Sequence, residues 1–266
     1  ICKLLNVYQG ARVTKWLQGD QIRPRQIERR IMECAASQGW RVFVGLDFGG
    51  TDDIWASCYL AVNYQTQQPE GRFFADLDLW ITEKALQESP NRPLYEMWVR
   101  DGWMNICPGE VFSHEMAVNQ IMYRAGYDEH GQLIVDPAQQ IDMALFGYDP
   151  AQSIQPINQL KAWLQSLGLP ADSISQMVVP VSQSAMTMNP IIGELEQMIL
   201  APEPWLEFSA NPMWPWQFGN AAIEFGRTDL RRIVKGGPIA SAKMDNIMAL
   251  ADALYAFDLS EGRIES

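Results

Sequence analysis

An α/β fold is what this sequence predicts: a mixed β-sheet, an antiparallel meander plus parallel strands, flanked by helices. Three observations carry that expectation. Between residues 41 and 81, three apolar runs follow one another with only short links, the pattern of strands joined as neighbours. From residue 113 onward, helical periods alternate with short apolar runs, as in layered folds where helices cover a sheet. Hydrophobic residues make up 47% of the 266 positions and charged residues 20%, enough to bury a sizeable core and far from a disordered composition.

The elements follow in order. Residues 1–40 are expected to be a largely helical connector, separate from a main domain at 41–266, because Ile22 to Ala36 has apolar spacing near a helical period. The chain opens Ile1-Cys2-Lys3 with no methionine, which reads as part of a longer protein. Arg41 to Phe48, Ile54 to Val62 and Arg72 to Ile81 are the three meander strands, with Gly49-Gly50-Thr51-Asp52-Asp53 as a turn. Ser113 caps a helix to about Arg124, and Ile141 to Tyr148 is a strand. A helix from Ser153 to Leu167 is ended by Gly168, and Met177 to Val181 is a short strand. A helix from Pro190 to Leu200 has its proline near the start, and a final amphipathic helix runs from Asp245 to Phe257. There is no internal repeat, no secretion leader and no apolar run near the ~18 residues that span a bilayer.

Cysteine usage and charge narrow the classes. Cys2, Cys34, Cys58 and Cys107 lack CxxC spacing, and His114 and His130 have no cysteine or histidine partner nearby. A zinc site is therefore not expected, and scattered thiols suit a reducing cytoplasm. The formal net charge is −12, which argues against a simple nucleic-acid binder, yet the charge is unevenly spread. Residues 227–243 hold Arg227, Arg231, Arg232, Lys235 and Lys243 against the single acid Asp229. Such a basic segment can hold a phosphate backbone locally; it can equally be a solvated face.

Three aspartates stand at the edges of elements. Asp47 lies inside the apolar run Val42-Phe-Val-Gly-Leu-Asp-Phe48, where a charge is costly unless paired or bound to metal. Asp149 directly follows a strand, and Asp245 opens the last helix. Taken singly, Asp149 before Pro150 can be turn chemistry and Asp245 a helix-end charge. Should the three converge, they would form a hard-oxygen site for Mg²⁺ or Mn²⁺. Phosphodiester hydrolysis is the chemistry such a site favours, with two ions ~3.5–4 Å apart on the attacking and leaving oxygens.

At this point the motifs resemble a family. Gly45-Leu-Asp47-Phe-Gly-Gly-Thr-Asp-Asp53-Ile-Trp-Ala56, Phe146-Gly-Tyr-Asp149-Pro150 and Lys243-Met-Asp245-Asn-Ile-Met-Ala-Leu-Ala-Asp-Ala-Leu254 are similar, in order, to the three nuclease motifs of the large terminase subunit of tailed bacteriophages. Leu5-Asn6-Val7, Cys107-Pro-Gly-Glu110, Ala210-Asn-Pro and Gly219-Asn-Ala-Ala222 also resemble that family. The resemblance implies an RNase H-like nuclease domain that cuts concatemeric double-stranded DNA during genome packaging in the bacterial host cytoplasm. It implies Asp47, Asp149 and Asp245 as catalytic metal ligands and Asp53 as an auxiliary ligand, with two Mg²⁺ or Mn²⁺ ions. Asp52 and Asp252 are weaker candidates, and Asp252 reads mainly as structural. The resemblance also implies an N-terminal ATPase domain upstream of residues 1–40, and portal protein and small terminase subunit as partners. No membrane partner is expected. No GxxxxGK[ST] loop occurs here, so the chain itself carries no ATP site of that type.

Two other readings share some of these residues. Val44-Gly-Leu-Asp-Phe-Gly-Gly-Thr51 is close to the first phosphate loop of sugar kinases and actin-like ATPases. That reading needs a second Asp-x-Gly loop and an adenosine-binding glycine pair, and Gly236-Gly237 in its basic stretch is a poor match. Junction resolvases and other RNase H-like nucleases share the metal chemistry and differ in substrate.

Overall fold

The meander forms where the three apolar runs predict it in the computed structural model, which describes residues 12–66, 68, 71–151, 153–203, 205–226, 229–236 and 242–264. Along the chain come β1 (Arg12–Lys15), α1 (Gly19–Ile22), β2 (Gln26–Ile27), β3 (Trp40–Phe48), β4 (Trp55–Asn63) and β5 (Phe73–Thr82). There follow α2 (Glu83–Glu88), α3 (Arg92–Arg100), β6 (Asn105–Cys107), α4 (His114–Arg124), β7 (Met143–Tyr148), α5 (Ile154–Ser166), α6 (Ala171–Met177) and β8 (Val178–Pro180). The last elements are α7 (Ala185–Leu200), β9 (Leu206–Ser209), α8 (Met213–Asn220), β10 (Ala221–Phe225), β11 (Arg231–Lys235) and α9 (Asp245–Ser260).

The main sheet has the order β2-β9-β5-β4-β3-β7-β8, with β6 also paired to β5. Strands β3, β4 and β5 are antiparallel neighbours, whereas β7 runs parallel to β3 and β8 parallel to β7. Both β4 and β5 are buried along nearly their whole length, as central strands covered on both faces must be. On one face, α9 and α7 cover the sheet with Phe43, Cys58, Leu60, Leu250, Leu254 and Phe257 in the core; on the other, α4 and α5 cover Val42, Val44, Leu46 and Phe146. No helix among the described residues is long and apolar enough to cross a membrane. Cys34, Cys58 and Cys107 are free and buried.

Two charged side chains buried in β5 are held rather than stranded. Asp78 takes Arg124 Nη2 at 2.6 Å and Nε at 2.9 Å, plus the Tyr59 hydroxyl at 2.9 Å, which ties α4 to the sheet. Asp76 accepts from the backbone N–H of Ile31 and Leu77, each at 2.9 Å.

Three expectations need correction. Ile22 to Ala36 is not a helix: Pro24 sits in a short 3₁₀ turn and Gln26–Ile27 pairs in parallel with Phe208–Ser209 at the sheet edge. Pro24 removes a backbone donor, and Asp76 captures the Ile31 N–H instead. Helix α7 starts at Ala185, with Ser184 Oγ accepting from Thr187 N–H at 3.3 Å, so Pro190 lies inside it. The last helix is not amphipathic. All of Asp245–Leu254 is buried, as are Ala256, Phe257 and Asp258, because α9 lies between the sheet and the other helices. A separate three-stranded antiparallel sheet, β1-β10-β11, was not anticipated.

Why α9 sits so close to the sheet can be read from two glycines. Gly45 in β3 and Gly147 in β7 are register partners. A Cβ on Gly45 would lie 1.7 Å from the Ala249 carbonyl oxygen and 2.5 Å from the Ala253 nitrogen; one on Gly147 would lie 2.3 Å from the Asp252 carbonyl oxygen. Only residues without a Cβ let the helix backbone descend this far.

Candidate metal centre

The close seat of α9 brings the ends of three elements together. Side chains alternate along β3, and Phe43 meets Phe257 of α9 at a ring-centroid distance of 5.3 Å. Gly45 and Asp47 therefore share the α9 face. The paired residues Leu46 and Tyr148 end the β3–β7 register, and the Asp149 N–H donates to the Leu46 carbonyl at 3.4 Å. Asp47 and Asp149 thus stand on adjacent strand ends. Asp245 is the first residue of α9, whose start is pinned from α8: the Asn246 N–H donates to Gln217 Oε1 at 2.9 Å and Asn246 Nδ2 to the Met213 carbonyl at 3.1 Å.

Asp53 arrives by a turn. Its N–H donates to the Gly50 carbonyl at 3.1 Å, and Trp55 Nε1 donates to the Gly49 carbonyl at 2.8 Å, folding residues 49–53 back over the end of β3. Lys243 Nζ forms an ion pair with Asp53 Oδ1 and donates to the Asp52 carbonyl at 3.2 Å.

The electrostatics show that these carboxylates feel one another. Burial, then the charges of Asp245, Asp53 and Asp149, hold the Asp47 carboxyl well above the usual carboxylate range. Burial, then Asp53, pushes Asp245 up to about 7. At Asp53 burial pushes upward, but the hydrogen bond and charge of Lys243 outweigh it and its carboxyl falls below the ordinary value. Lys235, at the end of β11, contributes positive charge to Asp47, Asp53 and Asp245.

All four side chains offer carboxylate oxygens, the right chemistry for a hard divalent ion. Asp245 is 6% exposed, and its Oδ2 is buried without a hydrogen-bond partner. Asp47 makes no side-chain hydrogen bond or ion pair among the described residues, whereas Asp149 Oδ1 accepts from the Ala151 N–H at 3.0 Å and so also shapes its turn. As the side chains stand, however, no three His, Cys, Asp or Glu among the described residues form a group that could hold an ion. The residues fit the ion by chemistry and neighbourhood, and their rotamers would have to close on it.

The remaining sequence candidates divide. Asp52 is exposed. Asp252 is 0% exposed with both carboxylate oxygens unpartnered, and burial, then Asp47 and Asp149, hold its carboxyl well above the usual range. Arg231 is engaged inside the protein, with Nη1 on Glu196 Oε2 at 2.7 Å and Nε on Asn189 Oδ1 at 3.2 Å. Arg232 pairs with Glu224 across β10 and β11. Lys235 is exposed, Lys243 is bound to Asp53, and Arg227 lies outside the described residues, as does Leu5-Asn6-Val7. Trp214 is fully buried and Trp216 packs on Tyr95 and Trp98. Sequence reasoning missed Asn246, Gln217 and Asn220, whose Nδ2 donates to the Lys243 carbonyl at 3.2 Å. A polar Asn directly before the apolar run Ile247–Ala251 was the available signal for the first.

No family model matches the chain, and no curated protein matches it by sequence. Among solved structures, the large terminase of bacteriophage HK97 aligns with TM-score 0.66 and 18% identity, over 92% of this chain and 44% of that one. The large terminase nuclease of thermophilic phage G20c aligns over 88% of this chain and 94% of that one, at TM-score 0.47 and 12% identity. A structure of that nuclease with bound magnesium aligns over 90% and 94%, at TM-score 0.46 and 13% identity. The chain thus spans less than half the length of the HK97 protein. The chain shares its fold, a mixed sheet of antiparallel and parallel strands flanked by helices, with the HK97 large terminase.

Proposed function

We propose that this chain is the nuclease part of a phage DNA-packaging motor, a divalent-metal-dependent endodeoxyribonuclease that cuts concatemeric double-stranded DNA. The observation that carries the reading is that Asp47 at the end of β3 feels the charges of Asp149, just after β7, and of Asp245, at the start of α9, three stretches far apart in sequence. Those three would hold Mg²⁺ or Mn²⁺, with Asp53 as an auxiliary ligand. When bound, a pair of such ions supplies a nucleophilic hydroxide from water and stabilises the leaving 3′ oxygen. The chain's own residues do the rest. The Asp149 turn and the α8 clamp on Asn246 hold the backbone that carries Asp149 and Asp245, so that only side-chain rotation is left for the ligands to close on an ion. Exposed Lys235 beside the acids offsets their repulsion of the DNA backbone, with Arg227, Arg231, Arg232 and Lys243 as the rest of the proposed basic DNA-contacting segment.

The HK97 likeness supports the wider assignment: residues 1–40 as a link from an N-terminal ATPase domain, portal protein and small terminase subunit as partners, and the host cytoplasm as the location. The test is plasmid cleavage with Mg²⁺ or Mn²⁺ by the parent and by Asp47→Asn, Asp149→Asn and Asp245→Asn, with circular dichroism to show that each variant is folded. The parent should cut and each folded variant should lose at least two orders of magnitude in rate, about 3 kcal/mol or more of barrier. Parent-like cutting by all three variants would overturn the site.

A further inference from the structure

The carboxylate cluster already contains a cation of the protein's own. The Lys243 ammonium is bonded to Asp53 Oδ1 and to the Asp52 carbonyl at 3.2 Å, and its side chain is only 14% exposed. Its backbone is held as well, since Asn220 Nδ2 donates to the Lys243 carbonyl at 3.2 Å and the Gly236 N–H donates to the Asn220 carbonyl at 2.7 Å. The ammonium is therefore built in from both ends rather than swinging on a free stem. It sits on one acid of the cluster, while Asp47 is left without a hydrogen bond among the described residues and Asp245 Oδ2 is buried and unpartnered.

We propose that Lys243 is the resident counter-cation of Asp53, so that the cluster takes one divalent ion tightly through Asp47, Asp149 and Asp245 and a second only by displacing the ammonium from Asp53. This rests on the reading of the cluster as a metal centre. The physical basis is competition for one carboxylate. A charge-assisted hydrogen bond in a partly buried place is stronger than one between neutral groups, and an incoming ion gains Asp53 only after that bond is lost. Lys243 is then a positioning residue that sets the order and spacing of ion affinities, and the loop carrying Asp52 and Asp53 is released from the start of α9 when the second ion enters. Lys235 serves as the internal control. It is exposed, makes no side-chain bond among the described residues, and adds positive charge at Asp47, Asp53 and Asp245 together.

The experiment is Mn²⁺ titration of the intact chain by calorimetry, with free Mn²⁺ followed by electron paramagnetic resonance at fixed ionic strength. The parent should show one tight and one weak site. Lys243→Gln should tighten the weak site by about tenfold or more, equal to about 1.4 kcal/mol, and leave the tight one unchanged. Lys243→Arg should keep the weak site weak, and Lys235→Gln should shift both sites together. Equal tightening of both sites by Lys243→Gln, or none, overturns the proposal. A second readout uses the parent alone: acylation of Lys243 by an N-hydroxysuccinimide ester, read by mass spectrometry, should be slow without Mn²⁺ and rise as the weak site fills. Labelling that is indifferent to Mn²⁺ also overturns it. A parent that binds no Mn²⁺ at all defeats the metal-centre reading itself, which is a different and recognisable failure.

Discussion

Replacing Gly45 with alanine probes the contact on which the geometry of the whole site depends. The added Cβ would lie 1.7 Å from the Ala249 carbonyl oxygen, 2.5 Å from the Ala253 nitrogen and 2.8 Å from the Ala249 carbonyl carbon. All three atoms belong to helix backbone, so no side chain can rotate away. An ordinary contact needs about 3.4 Å or more, so strand and helix must separate by more than an ångström, in a core packed at crystal-like density. Overpacking of this kind costs about 1–3 kcal/mol and sometimes more. The backbone clash puts Gly45→Ala at the upper end, about 3 kcal/mol, which lowers Tm by roughly 6–12 °C in a domain near this size. Gly219→Ala is the matched control: a Cβ there meets nothing within 4 Å, and the residue lies in α8. It should be neutral or slightly stabilising. Scanning fluorimetry and near-ultraviolet circular dichroism of the three proteins decide the matter. A Gly45→Ala variant that melts with the parent would refute the account of how α9 is seated.

Further expectations follow from the charges. Arg124→Met should cost about 3–5 kcal/mol, because it leaves the 4%-exposed Asp78 without its cation; urea unfolding measures it, and a loss under 1 kcal/mol would contradict the role given to the pair. Asp245 has a pKa of about 7 when folded and an ordinary value of 3.8, so the folded chain holds a proton that the unfolded chain has already released. Its contribution to stability is full below about pH 4 and falls away as pH rises toward 7, by several kcal/mol at most. The metal-free protein should therefore melt lower at pH 7.5 than at pH 5, and Asp245→Asn should flatten that slope; an unchanged slope refutes the assignment. Lys235→Glu should weaken DNA binding and reduce its log–log salt slope by about 0.9 or more with Tm unchanged. Arg231→Glu should lower Tm as well, since it breaks the contacts with Glu196 and Asn189; equal melting points would show that this arginine is free to serve DNA.

The meander, α4, β7, α5 and the positions of the three aspartates were legible because local rules govern them. A continuous β-rich apolar run set β3, Ser113 capped α4, and Asp47 stood out as a charge in that run. What the sequence hid depends on distant partners. Gln26–Ile27 is a strand only because β9 lies beside it, and Arg12–Lys15 only because β10 does. Arg231 and Lys243 looked like free cations, and only the folded chain shows them answering Glu196 and Asp53. The depth of α9 was hidden in the same way, since two glycines far apart in sequence share the task of admitting it.

That depth has a consequence for control. A helix walled in on every side over Asp245–Leu254 cannot be nudged by a regulator without dissolving the interior around it. The rim differs, for the short 49–53 turn is held there by a few separate bonds: Lys243 on Asp52 and Asp53, Trp55 Nε1 on the Gly49 carbonyl and Thr82 Oγ1 on the Thr51 carbonyl. A change of shape near these acids therefore disturbs far fewer contacts at the rim than in the helix behind it.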